Sequence, residues 1–413
     1  MSGQQVESRA RPSWKMTLWI MAGVQFCMSI AFSSSNPFMA LYVEQLGVHN
    51  LRHVDMLTGI IQGMTPLMAA IMSPFWGAMS DRRGRKMMVL RSTIAIAIFT
   101  GILGLAQSTW QLMIIRALQG SFSGFSAASI ALVASVIPQD RLGFSLGWMQ
   151  TSSMVGTLVG PLLGGVAADY FHNNYHMVFF LTTIFAFIAF IITLLWIKEP
   201  QVQRAVANRK PSLIGQFKSI KQFKTVQSMF VVLFLTQFTV MSVQPVLSVF
   251  MKELAGNVGY LNTVAGFAFA ATGLADLIAS PFLGKRSDKI GYRRVLTICM
   301  TGAGLFYLPQ ALAPNIWVFV ASRFGLGMFI GGILPTANAL IGRMAPSDKR
   351  GQIYGFTSSA TFLGSFAGPL LGGVGSAFLG IRVMLGVAGA LYLCNMLWVR
   401  LKVKEPKETA DTA

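Results

Sequence analysis

Long apolar stretches separated by short polar ones occupy nearly the whole chain. Twelve such stretches can be counted, at residues 16–43, 57–79, 87–106, 110–136, 144–168, 177–197, 226–250, 261–283, 295–313, 315–342, 353–379 and 383–401. Nearly all reach the roughly 20 residues that a helix needs to cross a ~30 Å hydrocarbon core. The pattern predicts an all-α polytopic membrane protein with twelve transmembrane helices, and it leaves no room for a sizeable soluble domain.

The apolar pattern breaks once, between the sixth and seventh stretches. Residues 198–225 contain seven Lys and Arg together with Pro200 and Pro211, which indicates a cytoplasmic linker. We therefore expect a cytoplasmic N-terminal segment at 1–15, a six-helix bundle at 16–197, the linker at 198–225, a second six-helix bundle at 226–402 and a cytoplasmic tail at 403–413.

The second half repeats the first at an offset of 207 or 208 residues. Equivalent pairs are Pro37 and Pro245, Gly77 and Gly284, Asp81 and Asp288, Arg116 and Arg323, Gly120 and Gly327, and Pro161 and Pro369. Six helices separate equivalent points, so the two bundles have the same membrane orientation and form a pseudo-symmetric 6+6 repeat. A substrate site is expected between the halves, near the middle of the membrane.

One glycine pattern appears in the fifth helix of each half. Its positions are Gly147, Gly156, Gly160, Pro161, Gly164 and Gly165 in the first half, and Gly355, Gly364, Gly368, Pro369, Gly372 and Gly373 in the second. Glycines spaced by four residues share one helix face and allow a neighbouring helix to approach closely. Each proline removes a backbone hydrogen bond, so we expect a bend there.

Composition and charge support the membrane interpretation. The chain is 54% hydrophobic and only 11% charged, and it has a net charge of +19. With a cytoplasmic N-terminus, 28 of the 33 Lys and Arg lie in cytoplasmic segments or their helix ends. This asymmetry follows the positive-inside rule, so the basic excess reflects topology in the cell (inner) membrane and does not indicate nucleic-acid binding.

Several functional classes find no support in the sequence. Cys27, Cys299 and Cys394 lie in apolar stretches without a CxxC pair, and we expect buried cysteines, no metal and no cofactor. The chain shows no P-loop and no arrangement of a nucleophile with a base, so it is not expected to be an enzyme. It shows neither the pore-lining ring of a channel nor the signalling domain of a receptor.

A charged motif connects the second and third helices. Its positions are Gly77, Asp81, Arg82, Gly84, Arg85 and Lys86, with Gly284 and Asp288 in a degenerate second copy. A basic anchor at the cytoplasmic face would explain the bases. It would not explain the glycines and Asp81 at fixed places, so a gating role is the favoured interpretation.

Gly77–Lys86 matches the pattern GxxxDRxGRK in full, and with the 6+6 repeat it makes the chain resemble the major facilitator superfamily. The glycine pattern of helix 5 resembles that of exporters that exchange substrate for protons, and Arg116 with Gly120 resembles the arginine motif of helix 4. More narrowly, Leu41–Gly47 and Ser73–Ser92 are similar to bacterial multidrug efflux members of the twelve-span drug:H⁺ antiporter branch.

The resemblance implies a proton-coupled secondary transporter that exports drugs or other amphipathic small molecules by alternating access. An exporter of one specific metabolite or sugar would share the motifs and remains the alternative. The partners implied are a small-molecule substrate, protons and the lipid bilayer, with a single chain as the functional unit. The charged motif would lock the outward-facing state.

Charges within the membrane are few. A charge at the bilayer centre costs about 2.5–3.5 kcal/mol, so each is expected to face a cavity or a partner. Asp276 is the favoured proton carrier, against a fixed ion pair with a neighbouring arginine. For Arg116, proton coupling (from the resemblance) and a structural duty stay equally open, and for Arg323 a structural duty is favoured. Glu44 and Asp169 are further candidates for coupling, although Glu44 at a helix end is more often a solvated anchor.

A mostly apolar, adaptable cavity would suit varied amphipathic compounds. The residues expected to line it are Gln25, Asn36, Gln62, Gln119, Gln150, Gln237, Gln244 and Asn338, with the aromatic residues Phe26, Trp148, Phe238, Tyr354 and Phe362. For any one aromatic residue, packing against helices or lipid is the commoner role.

Overall fold

A computed structural model of the chain describes residues 14–138, 141–197, 224–256, 260–344 and 350–403, except for the side chains at 74, 77, 78, 81, 82, 224, 225 and 350–352. Most of the linker expected at 198–225, the segment before residue 14 and the tail after 403 lie outside the described residues. The described part is helical, which confirms the expected all-α fold of twelve helices.

The first half contains six helices. They are α1 (Trp14–Ser33, continued by Asn36–Phe38 and Met39–Gln45), α2 (Leu51–Arg83), α3 (Arg85–Leu103), α4 (Thr109–Ser121, continued by Phe125–Val136), α5 (Leu142–Tyr170) and α6 (Tyr175–Trp196). The break in α1 occurs at Pro37, where a short 3-10 turn replaces regular helix. The break in α4 precedes Gly124, which has φ +109°.

The second half repeats this arrangement. Its helices are α7 (Lys224–Val243, continued by Gln244–Val246 and Leu247–Ala255), α8 (Leu261–Ile290), α9 (Tyr292–Ala311), α10 (Ile316–Met344), α11 (Arg350–Leu379) and α12 (Ile381–Lys402). The break in α7 is at Pro245, the equivalent of Pro37. Helix α10 is continuous where its counterpart α4 is interrupted, so the halves are similar but not identical.

Among the described residues, eleven of the helical spans are long and apolar enough to cross a membrane. Helix α9 is the exception, because Arg293, Arg294 and Gln310 lower its mean hydropathy. The outward surface carries many large apolar side chains, including Leu105, Trp110 and Phe378. A surface of this kind suits lipid and not water, so the protein is a multi-pass membrane protein.

The halves meet through two matching pairs of helices. Helix α5 packs against α8, and α2 packs against α11, while the ends of α1 and α7 lie between these pairs. One end of the molecule carries Trp14 and Val403, and the other carries Glu44 and Lys252. We refer to these as the Trp14 end and the Glu44 end.

Candidate functional site

A cavity of about 1020 Å³ lies between the two halves. Its lining is a mixture of hydroxyl, amide, apolar and cationic side chains drawn from α1–α5, α7, α8, α10 and α11. Residues that define it are Gln25, Ser29, Phe32, Ser33, Asn36, Thr65, Trp76, Arg85, Arg91, Ser153, Thr157, Met241, Gln244, Phe269, Thr272, Arg323 and Phe362. The volume and the mixed lining suit a small amphipathic molecule.

The cavity is closed at the Glu44 end by contacts between the halves. Asp169 of α5 accepts hydrogen bonds from both the backbone and side-chain nitrogens of Asn262, at 3.2 and 2.8 Å. Its second carboxylate oxygen accepts from the backbone nitrogen and hydroxyl of Thr263, at 2.8 and 2.6 Å. The two backbone nitrogens, those of Asn262 and Thr263, belong to the first turn of α8, where a helix has unpaired donors and a partial positive charge.

Two further contacts complete this closure. On the other side of the interface, the Ser376 hydroxyl of α11 donates to Asp55 of α2 at 2.8 Å. Between them, Lys252 of α7 forms a 2.7 Å ion pair with Glu44 of α1. Towards the Trp14 end the lining reaches Ser80 and Arg85, so the cavity extends to that end of the molecule.

The glycine pattern lies at closely packed interfaces. A β-carbon on Gly156 or Gly164 would meet the carbonyl oxygens of Phe26 and Ser34 in α1 at 2.6 and 2.1 Å. The second-half equivalents are packed the same way: Gly364 faces Phe234, Gly368 faces Phe238 and Met241, and Gly372 faces Ser242, all on α7. Gly160 contacts Ser33 in α1. Gly147 and Gly355 have open space around them.

A second face of the same pattern forms the contact between halves. A β-carbon on Gly165 would lie 2.3 Å from the carbonyl oxygen of Asn262, and one on Gly373 would lie 2.4 Å from that of Asp55. The carbonyls of Pro161 and Pro369 in turn lie against Gly266 and Gly59 of the opposite half. Helices α5 and α11 continue through their prolines.

The charged motif is more helical than expected. Instead of a connection over Gly77–Lys86, α2 continues to Arg83 and α3 begins at Arg85, with Gly84 alone between them at φ +97°. Residues 77–83 continue the backbone hydrogen bonding of α2, and the charge pattern did not predict this extension of the helix. Gly291, the second-half equivalent of Gly84, has φ +96°.

Two bases of this motif bind backbone carbonyls of other helices in their own half. Arg85 donates to the carbonyl of Ala131 at 2.7 Å, and Lys86 to that of Leu194 at 3.0 Å. The Leu194 carbonyl lies in the final turn of α6, where cations are favoured, whereas Ala131 lies five residues before the end of α4. In the second copy Tyr292 donates to Asp288, and Gly284 lies near Pro335. The side chains of Asp81 and Arg82 lie outside the described part, and the gating role stays a prediction.

Arg116 lies in a buried polar network. Its guanidinium donates to Gln119 at 3.1 Å and to the side-chain oxygen of Asn36 at 3.2 Å. Gln119 donates in turn to Thr100 at 2.9 Å. No carboxylate pairs with Arg116 among the described residues. The network holds α1, α3 and α4 together beside the cavity.

Arg323, the equivalent of Arg116, has different surroundings. It lines the cavity, and its guanidinium carbon lies 5.2 Å from the centre of the Phe269 ring. The described residues provide its guanidinium with no hydrogen-bond or ion-pair partner, although the backbone contact is kept, since Thr272 donates to the Arg323 carbonyl as Thr65 does to that of Arg116. The two arginines therefore share a backbone position but not a side-chain role.

Arg91 also lines the cavity, where the sequence did not predict it. Its guanidinium carbon lies 3.5 Å from the centre of the Trp76 ring, and one nitrogen donates to the Ser123 carbonyl at 2.9 Å. Its other two guanidinium nitrogens have no partner in the described residues. A charged residue inside an apolar stretch was the available signal.

The candidate acids occupy two regions. Glu44 and Asp169 belong to the closure at the Glu44 end. Asp276 of α8 lies against Gly331 of α10, outside the cavity lining. Its carboxylate forms no ion pair with any described residue.

The predicted cavity residues divide into three groups. Gln25, Asn36, Gln244 and Phe362 line the cavity. Three glutamines lie behind the cavity wall. Gln62 donates a hydrogen bond to the Asn36 carbonyl, and Gln119 accepts one from Arg116. Gln237 donates to the Ser365 hydroxyl. The others lie outside the lining. Trp148 packs on Trp19, and Phe238 packs on Phe234. Tyr354 donates a hydrogen bond to the Asn338 carbonyl, Gln150 is exposed and Phe26 is half-buried.

Comparisons with known proteins agree with this architecture. The family described as Major Facilitator Superfamily matches residues 21–262 and 229–413. The chain is 36% identical to multidrug resistance protein MdtG of Enterobacter lignolyticus over 98% of this chain and 96% of the relative, and 34% identical to that of Dickeya zeae over 99% and 100%. The narrower resemblance to bacterial multidrug efflux proteins is thereby confirmed.

Solved structures share the fold at low identity. A point mutant of the nucleoside transporter NupG superposes with a TM-score of 0.74 at 12% identity, covering 95% of this chain and 100% of that chain. A D-xylose–proton symporter gives 0.77 at 16% identity, covering 95% and 98%. The family match and the similar relatives, together with the repeated bundles and the cavity between them, show that the chain belongs to the Major Facilitator Superfamily of membrane transporters.

Proposed function

We propose that the protein is a proton-driven exporter of amphipathic small molecules, including drugs, that works by alternating access. The observation that carries this proposal is a cavity between two equivalent bundles that is closed at one end and extends to the other. Rocking of the bundles about the central contacts would close the Trp14 end and open the Glu44 end. The named activity of the MdtG relatives, multidrug resistance, supports export as the direction.

The distribution of bases supports a cytoplasmic Trp14 end. Arg83, Arg286, Arg294, Arg343 and Lys402 all lie towards that end, whereas Arg52, Lys252 and Arg382 lie towards the other. Under the positive-inside rule both termini are cytoplasmic and the described conformation faces inward. Substrate would enter the cavity from the cytoplasm or the inner leaflet.

Proton coupling rests on the few acids that could exchange a proton during the cycle. Asp276, without an ion-pair partner among the described residues, is the favoured carrier, and Glu44 would be released from Lys252 when the Glu44 end opens. Arg116 would act on coupling through Asn36, which it holds at the cavity wall. The amide and hydroxyl lining also suits a polar metabolite or sugar, which keeps a specific exporter as the second candidate.

The test is efflux of a fluorescent dye from energised cells that express the protein, with and without a protonophore, followed by transport in proteoliposomes under an imposed proton gradient. We expect efflux that stops when the gradient collapses. Protonophore-insensitive efflux would overturn proton coupling, and a transport panel that accepts one metabolite alone would favour the second candidate.

A further inference from the structure

Helices α9 and α12 pack against each other in the second half, as α3 and α6 do in the first. One contact is repeated at the Trp14 end of both pairs. Lys86 in the first turn of α3 donates to the Leu194 carbonyl of α6 at 3.0 Å. Arg293 in the first turn of α9 donates to the Arg400 carbonyl of α12. The two helix pairs can therefore be compared position by position.

The comparison shows three bases in the second half where the first half has apolar side chains. Equivalent positions are counted from the glycine before α3 and α9 and from the last residues of α6 and α12. All six side chains are exposed. The positive-inside rule asks only for bases in or near cytoplasmic loops, so it does not explain this difference between the halves. The pairs are Met87 and Arg294, Leu194 and Arg400, and Trp196 and Lys402.

The three bases adjoin apolar side chains that face outward. Ile298 follows Arg294 by one turn of α9 and is exposed, as are Leu397 and Leu401 near the end of α12. Basic side chains at the end of an exposed apolar strip match the two parts of a phospholipid, its phosphate and its acyl chains. We refer to these residues together as the α9–α12 surface, which consists of Arg294, Ile298, Leu397, Arg400, Leu401 and Lys402.

The two helices contain no acid that could neutralise these bases. Neither α9 nor α12 includes an Asp or Glu. The closest described acid before α9, Asp288, accepts a hydrogen bond from Tyr292. The ion pairs found among the described residues involve Glu44 and Glu253, at the opposite end of the molecule. Arg294 lies in the first turn of α9, where the helix dipole itself disfavours a positive charge.

We propose that the α9–α12 surface binds an anionic phospholipid of the leaflet at the Trp14 end. The phosphate group lies between Arg294 of one helix and Arg400 and Lys402 of the other, because guanidinium groups offer paired donors that match phosphate oxygens. The acyl chains follow Ile298 and Leu397. None of these residues lines the cavity between the halves, so the site is separate from the transport path and does not depend on proton coupling or on the direction of transport.

Cys394 provides a reporter beside this surface. It is exposed on α12, three residues before Leu397 and on the same helix face. Counted from the helix ends, its equivalent on α6 is Ile188, which is also exposed. A bimane fluorophore is attached either to Cys394, with Cys27→Ser and Cys299→Ser, or to the thiol introduced by Ile188→Cys, with Cys394→Ser in addition.

The test places each labelled full-length chain in bilayers that mix phosphatidylcholine with phosphatidylglycerol, with brominated acyl chains on one lipid or the other. Quenching of bimane by bromine gives the binding of phosphatidylglycerol relative to phosphatidylcholine at each label. We expect a ratio of about fivefold or more at Cys394 and about twofold or less at the Ile188→Cys label, as one additional base near the membrane surface implies. Equal ratios at the two labels would overturn the proposal.

Exchanging residues between the halves tests which side chains form the site. The combined variant Arg294→Met, Arg400→Leu and Lys402→Trp gives the second half the side chains of the first. Its ratio at Cys394 should fall to that found at the Ile188→Cys label. An unchanged ratio would contradict the assignment of the site to these bases.

A single substitution separates the site from the total charge of the protein. Arg294→Gln should lower the ratio at Cys394 about threefold. Lys15→Gln is the matched control, because Lys15 is an exposed base at the same end of the molecule but on α1. An equal loss in Lys15→Gln would show that the preference reflects net charge alone. The comparison of the two labels stands even if a variant at these bases fails to fold.

Discussion

Asp169 at the end of α5 binds both nitrogens of Asn262 in the first turn of α8, and so ties the first half of the protein to the second. The same carboxylate also binds Thr263. A carboxylate at a helix N-terminus satisfies donors that would otherwise be unpaired and complements the helix dipole. This contact stabilises the conformation that is closed at the Glu44 end, and under the proposed alternating access it would break when that end opens.

We therefore expect Asp169→Asn to shift the protein towards opening at the Glu44 end by about 1–3 kcal/mol, the cost of losing hydrogen bonds to a charged group. The measurement is labelling of a cysteine placed at Ser33 by a membrane-impermeant thiol reagent applied from that side, in a background without the three native cysteines. Asp169→Glu, which retains the charge, is the control. Labelling of Asp169→Asn no faster than the parent would contradict this role.

The close contact between the halves predicts a steric effect of a single methyl group. Gly165→Ala and Gly373→Ala place a β-carbon 2.3 and 2.4 Å from backbone oxygens of the opposite half, so both should hinder closure at the Glu44 end and lower transport by about tenfold or more. Transport rate per folded protein is the measurement.

Gly143→Ala is the matched control for these substitutions. Gly143 lies on the same helix as Gly165, but a β-carbon there meets no atom within 4 Å. Its replacement should be neutral or stabilise the helix by up to about 1 kcal/mol, because alanine favours helix over glycine. A loss of transport equal to that of Gly165→Ala would show that the effect is not one of packing between halves.

The ion pair between Glu44 and Lys252 is partly exposed, with 51% of the Lys252 side chain accessible and 19% of that of Glu44. We expect a coupling of roughly 0.2–1 kcal/mol towards the closed state in a double-mutant cycle of Glu44→Gln and Lys252→Gln, scored by thiol accessibility at the Glu44 end. Exchanging the charges, with Lys at 44 and Glu at 252, should restore most of the effect. A coupling of zero would show that the two charges do not stabilise the closed state through each other.

Asp276→Asn tests the proposed proton carrier. We expect transport driven by an imposed proton gradient to be lost, while exchange of substrate across the membrane without a gradient persists, because the substituted amide cannot carry the proton. Glu253→Gln, at an exposed acid in the closure region, is the control. Unchanged gradient-driven transport in Asp276→Asn would remove this residue from the mechanism.

Hydropathy predicted the number and order of the helices but not their bounds. The second apolar stretch covers residues 57–79, whereas α2 spans Leu51–Arg83, because helical hydrogen bonding continues into polar ends where hydropathy has already fallen. The interruption of α4 before Gly124 was not predicted, since it lies within a continuous apolar run. Local composition predicts which segments lie in the membrane, whereas the ends of the helices depend on capping residues and on glycine conformation.

The cavity was only partly predictable. Gln150 and Ser153 lie on the same helix, but Ser153 lines the cavity and Gln150 does not. In a membrane helix the lipid-facing and protein-facing sides are both apolar, so periodicity does not show which side a polar residue takes. Equivalence to Arg116 predicts a structural duty for Arg323, but the structure shows that the repeat preserves backbone positions more faithfully than side-chain surroundings.

Glu44 and Lys252 occupy equivalent positions, 208 residues apart, and contact each other near the axis that relates the halves. Any such axial position in a pair of identical bundles would hold two copies of one side chain. Two first halves associated in this way would bring two Glu44 carboxylates together, and two second halves would bring two Lys252 ammonium groups together. Opposite charges at this position would therefore disfavour self-pairing of either bundle and favour the mixed pair, by the modest free energy expected of a partly exposed ion pair.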